Sequence, residues 1–141
     1  MAALKKRYYP KIAEEVYLAT LDNGMSLSII KKKGFIEKAA FLSTNFGALD
    51  NRFYIDGKLQ TYPAGIAHFL EHKLFEDDQG RDVTLDFVKL GADVNAFTTL
   101  DRTTYYFSTI DHFEESLELL LKFTSEFTSS EDTVNQIGRA S

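Results

Sequence analysis

The sequence predicts an α+β fold in which an antiparallel-rich sheet carries helices packed on one face. Three observations predict it. Asp22-Asn23-Gly24 lies between two apolar runs, Val16 to Leu21 and Met25 to Ile30, and Asn-Gly in that setting is a strong hairpin signal. Asp93 to Thr99 and Thr103 to Ile110 are rich in β-branched and aromatic residues and flank Leu100-Asp101-Arg102 as a second hairpin. The elements run strand, strand, strand, helix, helix, strand, strand, helix, a segregated order that argues against a parallel βαβ sheet.

Taken in order, the first hairpin opens the domain and Ala39 to Phe46 forms a third strand ended by Gly47. Residues Ala48 to Pro63 mix Asp, Asn, Gly and aromatic side chains without a steady period and read as a long surface loop. Pro63 and Gly65 precede a helix, with proline near a helix start. Val83, Phe87, Val88 and Leu90 give a second helix that stops at Gly91. After the second hairpin, Asp111 with Glu114 three residues on predicts a capping box. Apolar residues at 113, 117, 120, 121 and 127 follow at helical spacing. From Ser129 onward the chain is polar with little pattern.

A length of 141 residues is that of one domain with a real core. With 44% hydrophobic residues, 12 Phe and 7 Tyr, the chain is not of the disordered class, and no apolar run is long enough to predict a membrane span. The net charge of −5 argues against nucleic acid as a partner. Lys5-Lys6-Arg7 and Lys31-Lys32-Lys33 are basic clusters read as solubilising. The absence of cysteine excludes disulfides and thiolate metal sites, and no apolar stretch follows Met1 as a secretory signal would, so the expected compartment is cytoplasmic.

The motif with the most chemistry is His68-Phe69-Leu70-Glu71-His72. Each helical residue turns by about 100°, so His68, Glu71 and His72 share one face. Two neutral imidazoles at i and i+4 can ligate one Zn²⁺, and a carboxylate beside them can take a proton from a water that the metal activates. Ile66, Phe69, Leu70 and Leu74 lie on the other side of the wheel and would anchor the helix in a core, leaving the polar triplet in a cleft. The order inverts the commoner His-Glu-x-x-His arrangement.

With these residues in view, the chain resembles the pitrilysin, insulysin and mitochondrial-processing-peptidase family of inverted-motif zinc peptidases, especially its bacterial cytoplasmic members. Gly65 to Glu76 carry the resemblance, joined by Asp22-Asn23-Gly24, Gly47, Asp50-Asn51, Leu90-Gly91-Ala92, Asn95-Ala96-Phe97-Thr98 and Arg102-Thr103-Thr104-Tyr105. It runs from about Tyr9 to Val134. The resemblance implies a zinc endopeptidase acting on peptides or small unfolded proteins. It makes His68 and His72 the zinc ligands, Glu71 the general base, and Asn95, Ala96 and Phe97 a substrate-binding edge strand that pairs with peptide backbone.

The third zinc ligand of that family is a glutamate on a later helix, and its matching position falls beyond Ser141. The expectation is therefore an incomplete metallopeptidase domain, an N-terminal fragment inactive alone, with a second homologous domain or subunit as partner. A rival expectation is a non-catalytic peptide-binding or assembly module that self-associates through an uncovered core. Zinc titration with light scattering separates them. Tight equimolar zinc with peptide cleavage marks the enzyme, and an oligomer with weak zinc and no cleavage marks the module. His112, beside the predicted cap of the last helix, is expected to make local hydrogen bonds and not to ligate metal.

Overall fold

Eight strands, all paired antiparallel, and three helices make up the regular structure of the described residues. The structure, a computed structural model, describes residues 3–77 and 79–125. It divides into two units, Met1–Ile36 and Glu37–Ser141.

The first unit is a three-stranded antiparallel sheet in the order β1 (Lys5–Tyr9), β2 (Glu14–Thr20) and β3 (Ser26–Ile30). The β2–β3 hairpin closes as predicted. Leu21 N–H donates to Met25 O at 2.8 Å, and Asn23 Oδ1 accepts from Met25 N–H at 3.0 Å. Strand β1 was not predicted, because Lys5-Lys6-Arg7 gives no apolar alternation. Its partner supplies the missing signal: Lys6 Nζ meets Glu15 Oε1 at 3.0 Å across the pair, and a lysine-rich edge strand resists further pairing.

The second unit is built on a sheet ordered β4 (Lys38–Thr44), β8 (Thr103–Thr109), β7 (Asp93–Thr98), antiparallel throughout. Alternation sends Ala40, Leu42, Val94, Ala96, Tyr105 and Phe107 to one face, where they meet helices α1 (Ile66–Leu74), α2 (Thr84–Lys89) and α3 (Phe113–Ser125). Phe87 and Phe107 are wholly buried there. Phe123 stacks on Phe75 with centroids 5.0 Å apart and meets Phe87 edge-on at 5.8 Å. All three helices lie on that one face, in agreement with the predicted layering.

Several local expectations change. The stretch from Ala48 to Pro63 is not a loop alone: it holds the hairpin β5 (Arg52–Ile55) and β6 (Lys58–Thr61). Its turn residues Asp56 and Gly57 both have positive φ, 51° and 75°, as a two-residue mirror-image turn requires. Pro63 and Gly65 do precede α1 as expected, with Gly65 at its N-cap. The capping box at Asp111 is not formed. The helix starts at Phe113, so Asp111 stands one residue too early, and its Oδ1 accepts from His112 N–H at 2.8 Å. Helix α3 buries Leu120 and Phe123 while Leu121 is exposed. The predicted continuation to Phe127 and the polar tail lie outside the described residues.

Helix α2 does end as expected. Gly91, at φ 74°, lets its N–H reach Val88 O at 3.0 Å and Ala92 N–H reach Phe87 O at 2.9 Å. Among the described residues no helix is long and apolar enough to cross a membrane.

Gly47 ties the sheet to the second hairpin. Ala48 and Leu49 N–H donate to Thr99 O at 2.8 Å and Leu100 O at 2.9 Å, while the Thr103 hydroxyl donates to Phe46 O at 2.7 Å. A Cβ at position 47 would overlap the backbone nitrogens of Asp101 and Arg102. Gly47→Ala is therefore expected to destabilise the fold by about 1–3 kcal/mol, because neither overlapping atom belongs to a side chain that can swing away. Urea unfolding of the parent and variant checks this.

Candidate metal centre

Helix α1 packs against β7 and β8 on the inner face of their sheet. It was expected to bury only its apolar side, but the residues it buries most deeply are Ala67, Glu71 and Lys73. Lys73 is fully buried and its Nζ meets Glu76 Oε2 at 2.7 Å, so its charge enters the interior paired. Ile66, Phe69, Leu70 and Leu74 are half-buried instead.

The predicted triplet does converge. His68 Nε2 and His72 Nε2 stand 2.9 Å apart on exposed rings, and the ligand atoms of His68, Glu71 and His72 all lie within 4.8 Å of one another. Two nitrogens at zinc distances of about 2.0–2.1 Å in tetrahedral array would be ~3.3 Å apart, so the imidazole pair needs only a slight opening to accept the ion. The donors are nitrogen and oxygen only, a set that suits zinc. Among the described residues this is the one cluster with metal-holding geometry, and Glu71 is its single acidic group.

Glu71 differs from its neighbours in being 9% exposed. Its Oε2 accepts a hydrogen bond from the Thr98 hydroxyl at the end of β7. Burial pushes the Tyr105 phenol well above its usual range, and the nearby Glu71 charge adds to the rise, so this phenol stays protonated next to the carboxylate. Thr98 belongs to the stretch Asn95-Ala96-Phe97-Thr98 that carries the family resemblance, but the resemblance gives it no role. The signal was the period-2 alternation, which places Thr98 on the inner face with Val94 and Ala96.

Asn95, Ala96 and Phe97 lie on β7, which forms the edge of its three-stranded sheet. Asn95 and Phe97 face outward, and the exposed Phe97 and Phe41 flank the half-buried Tyr106 in an aromatic row. The Ala96 N–H is held by Asn95 Oδ1 at 2.8 Å. Asn95 thus satisfies the backbone beside it from within the strand. His112 is outside the cluster; its Nδ1 lies 3.8 Å from Glu115 Oε1 at the start of α3.

Comparison with known proteins decides the family. The model of the insulinase family, peptidase family M16, matches residues 60–137. The chain belongs to the M16 family. It is 42% identical over 135 residues to a Bacillus subtilis protein described as the uncharacterized zinc protease YmfH, covering 94% of this chain and 31% of YmfH. A crystal structure of an M16-like peptidase from Alicyclobacillus acidocaldarius superposes with a TM-score of 0.81 at 35% identity, over 87% of this chain and 29% of that one. Pitrilysin shares the fold at 21% identity and a TM-score of 0.56, over 77% of this chain and 12% of its own. The chain thus spans a third or less of the length of these M16 relatives. M16 membership and the relatives' names make this a zinc metallopeptidase family, in agreement with the fold and the metal expected from the motif.

Proposed function

We propose that this chain carries the catalytic helix of an M16 zinc endopeptidase that cleaves peptides and small unfolded proteins. The observation that supports it is the convergence of two imidazole Nε2 atoms with a carboxylate that is buried and hydrogen-bonded from the neighbouring strand. His68 and His72 would hold the ion through their ring nitrogens, with an oxygen from outside the described residues as the third ligand. A second homologous domain or subunit closes the site around the peptide.

Bound zinc supplies Lewis-acid chemistry, polarising the scissile carbonyl and lowering the pKa of the attacking water. Glu71 takes the proton of that water as its oxygen bonds to the carbonyl carbon. The same carboxyl then passes the proton to the amide nitrogen as the C–N bond breaks. With Oε2 engaged by Thr98, Oε1 is the oxygen left for this transfer. The β7 edge aligns the substrate by strand addition, which reads backbone more than side chain. Asn95 releases the Ala96 N–H to a substrate carbonyl as the peptide arrives.

Ala96→Pro removes that N–H, which β7 does not need for pairing with β8: Thr99 N–H bonds Arg102 O at 2.7 Å, and the alternation of an antiparallel pair then turns Ala96 N–H to the free edge. Loss of one backbone hydrogen bond should raise KM roughly 3- to 10-fold and change kcat little. Steady-state kinetics on an unstructured peptide checks it. The reading as a whole is tested on a chain of the relatives' full length with a quenched fluorescent peptide. Cleavage that is lost on chelation and restored by zinc is expected. Cleavage that persists without zinc, or none with zinc bound, would overturn it. The 141-residue chain alone, with two imidazoles and one base, is expected to bind zinc weakly and not to cleave.

A further inference from the structure

We propose that Thr98 is a positioning residue that orients the Glu71 carboxylate for proton transfer, an inference that rests on Glu71 being the general base. The Thr98 hydroxyl donates to Glu71 Oε2 from strand β7, across 27 positions of sequence, so the contact joins two elements that the fold alone brings together. A glutamate side chain has three rotatable bonds. With one oxygen tied to a fixed donor, the other presents its lone pairs in one direction, and none of that orientation has to be found during the reaction.

The donor is itself fixed. Thr98 pairs with Thr103 in the β7–β8 register, and the next residue is held on both sides: Thr99 N–H donates to Arg102 O at 2.7 Å, and Thr99 O accepts from Ala48 N–H at 2.8 Å. The methyl and hydroxyl of Thr98 sit on the half-buried inner face. Thr98 also ends the strand that carries Asn95, Ala96 and Phe97. A peptide added to that strand is therefore registered against the same backbone that orients the base, so substrate alignment and base alignment share one reference.

The test uses Thr98→Val, which keeps the shape and removes the hydroxyl, and Thr98→Ser, which keeps the hydroxyl and removes the methyl. Both are made in a chain of the relatives' full length. Loss of one hydrogen bond to a charged group predicts a fall in kcat of roughly 10- to 100-fold for Thr98→Val. KM and zinc content should stay within about twofold of the parent, and Thr98→Ser should retain kcat within about threefold. In a Glu71→Gln background the added Thr98→Val should have no further effect, since both act through one group.

Three results would overturn the proposal: Thr98→Val keeping its kcat, Thr98→Ser falling as far as Thr98→Val, or Thr98→Val losing zinc. Failure of the base assignment is distinguishable. In that case Glu71→Gln itself would remain active, whereas an inactive Glu71→Gln beside an unaffected Thr98→Val removes only the role of Thr98.

Discussion

Glu71→Gln is expected to lower kcat for peptide cleavage by about 10²–10⁴-fold and to leave zinc bound. The substitution is nearly isosteric and keeps a side-chain oxygen able to accept from Thr98, so the packing around this buried position is preserved. What it removes is basicity. An amide cannot take the proton from the attacking water or return it to the leaving nitrogen, while the two imidazoles proposed to hold the metal are unchanged. Zinc content by atomic emission, measured beside kcat, separates this outcome from simple loss of the ion. A glutamine variant that cleaved at the parent's rate would remove Glu71 from the chemistry.

The second large effect is expected from His68→Ala and His72→Ala together. Both rings are exposed, and substitutions at exposed positions change stability by only about ±0.5 kcal/mol when no specific feature is lost. The double variant should therefore keep the parent's circular dichroism and melting behaviour in the metal-free state. Its zinc binding should fall below detection in a competition titration, and cleavage should vanish with it, because one carboxylate cannot hold the ion against water. Zinc bound as tightly as in the parent would show that the metal lies elsewhere.

The parts of the fold legible in the sequence are those whose signal is local. Asn23-Gly24 specifies a turn by backbone conformation, Gly91 a helix end, and the spacing of His68, Glu71 and His72 a shared helical face; each needs only its near neighbours. Strand β1 was illegible because Lys5-Lys6-Arg7 becomes a strand only beside β2, where Lys6 meets Glu15. The β5–β6 hairpin was legible in Asp56-Gly57 between Phe53-Tyr54-Ile55 and Lys58-Leu59-Gln60, but the polar composition around it masked the turn signal.

The site divides in the same way. The helical triplet could be read from spacing, whereas Thr98 lies 27 residues from Glu71 and meets it only because β7 and α1 share the inner face of the sheet. Lys73 shows the opposite failure. Its charge predicts solvent, yet pairing with Glu76 three residues on carries it into the interior.

The proposed centre has the zinc ion on His68 and His72 with Glu71 beside it as the base. Anomalous diffraction at the zinc edge, from crystals of a chain of the relatives' full length, tests it most directly. One strong peak is expected between the two Nε2 atoms, about 2.0–2.1 Å from each. A zinc peak at other residues, with these imidazoles unligated, would contradict it.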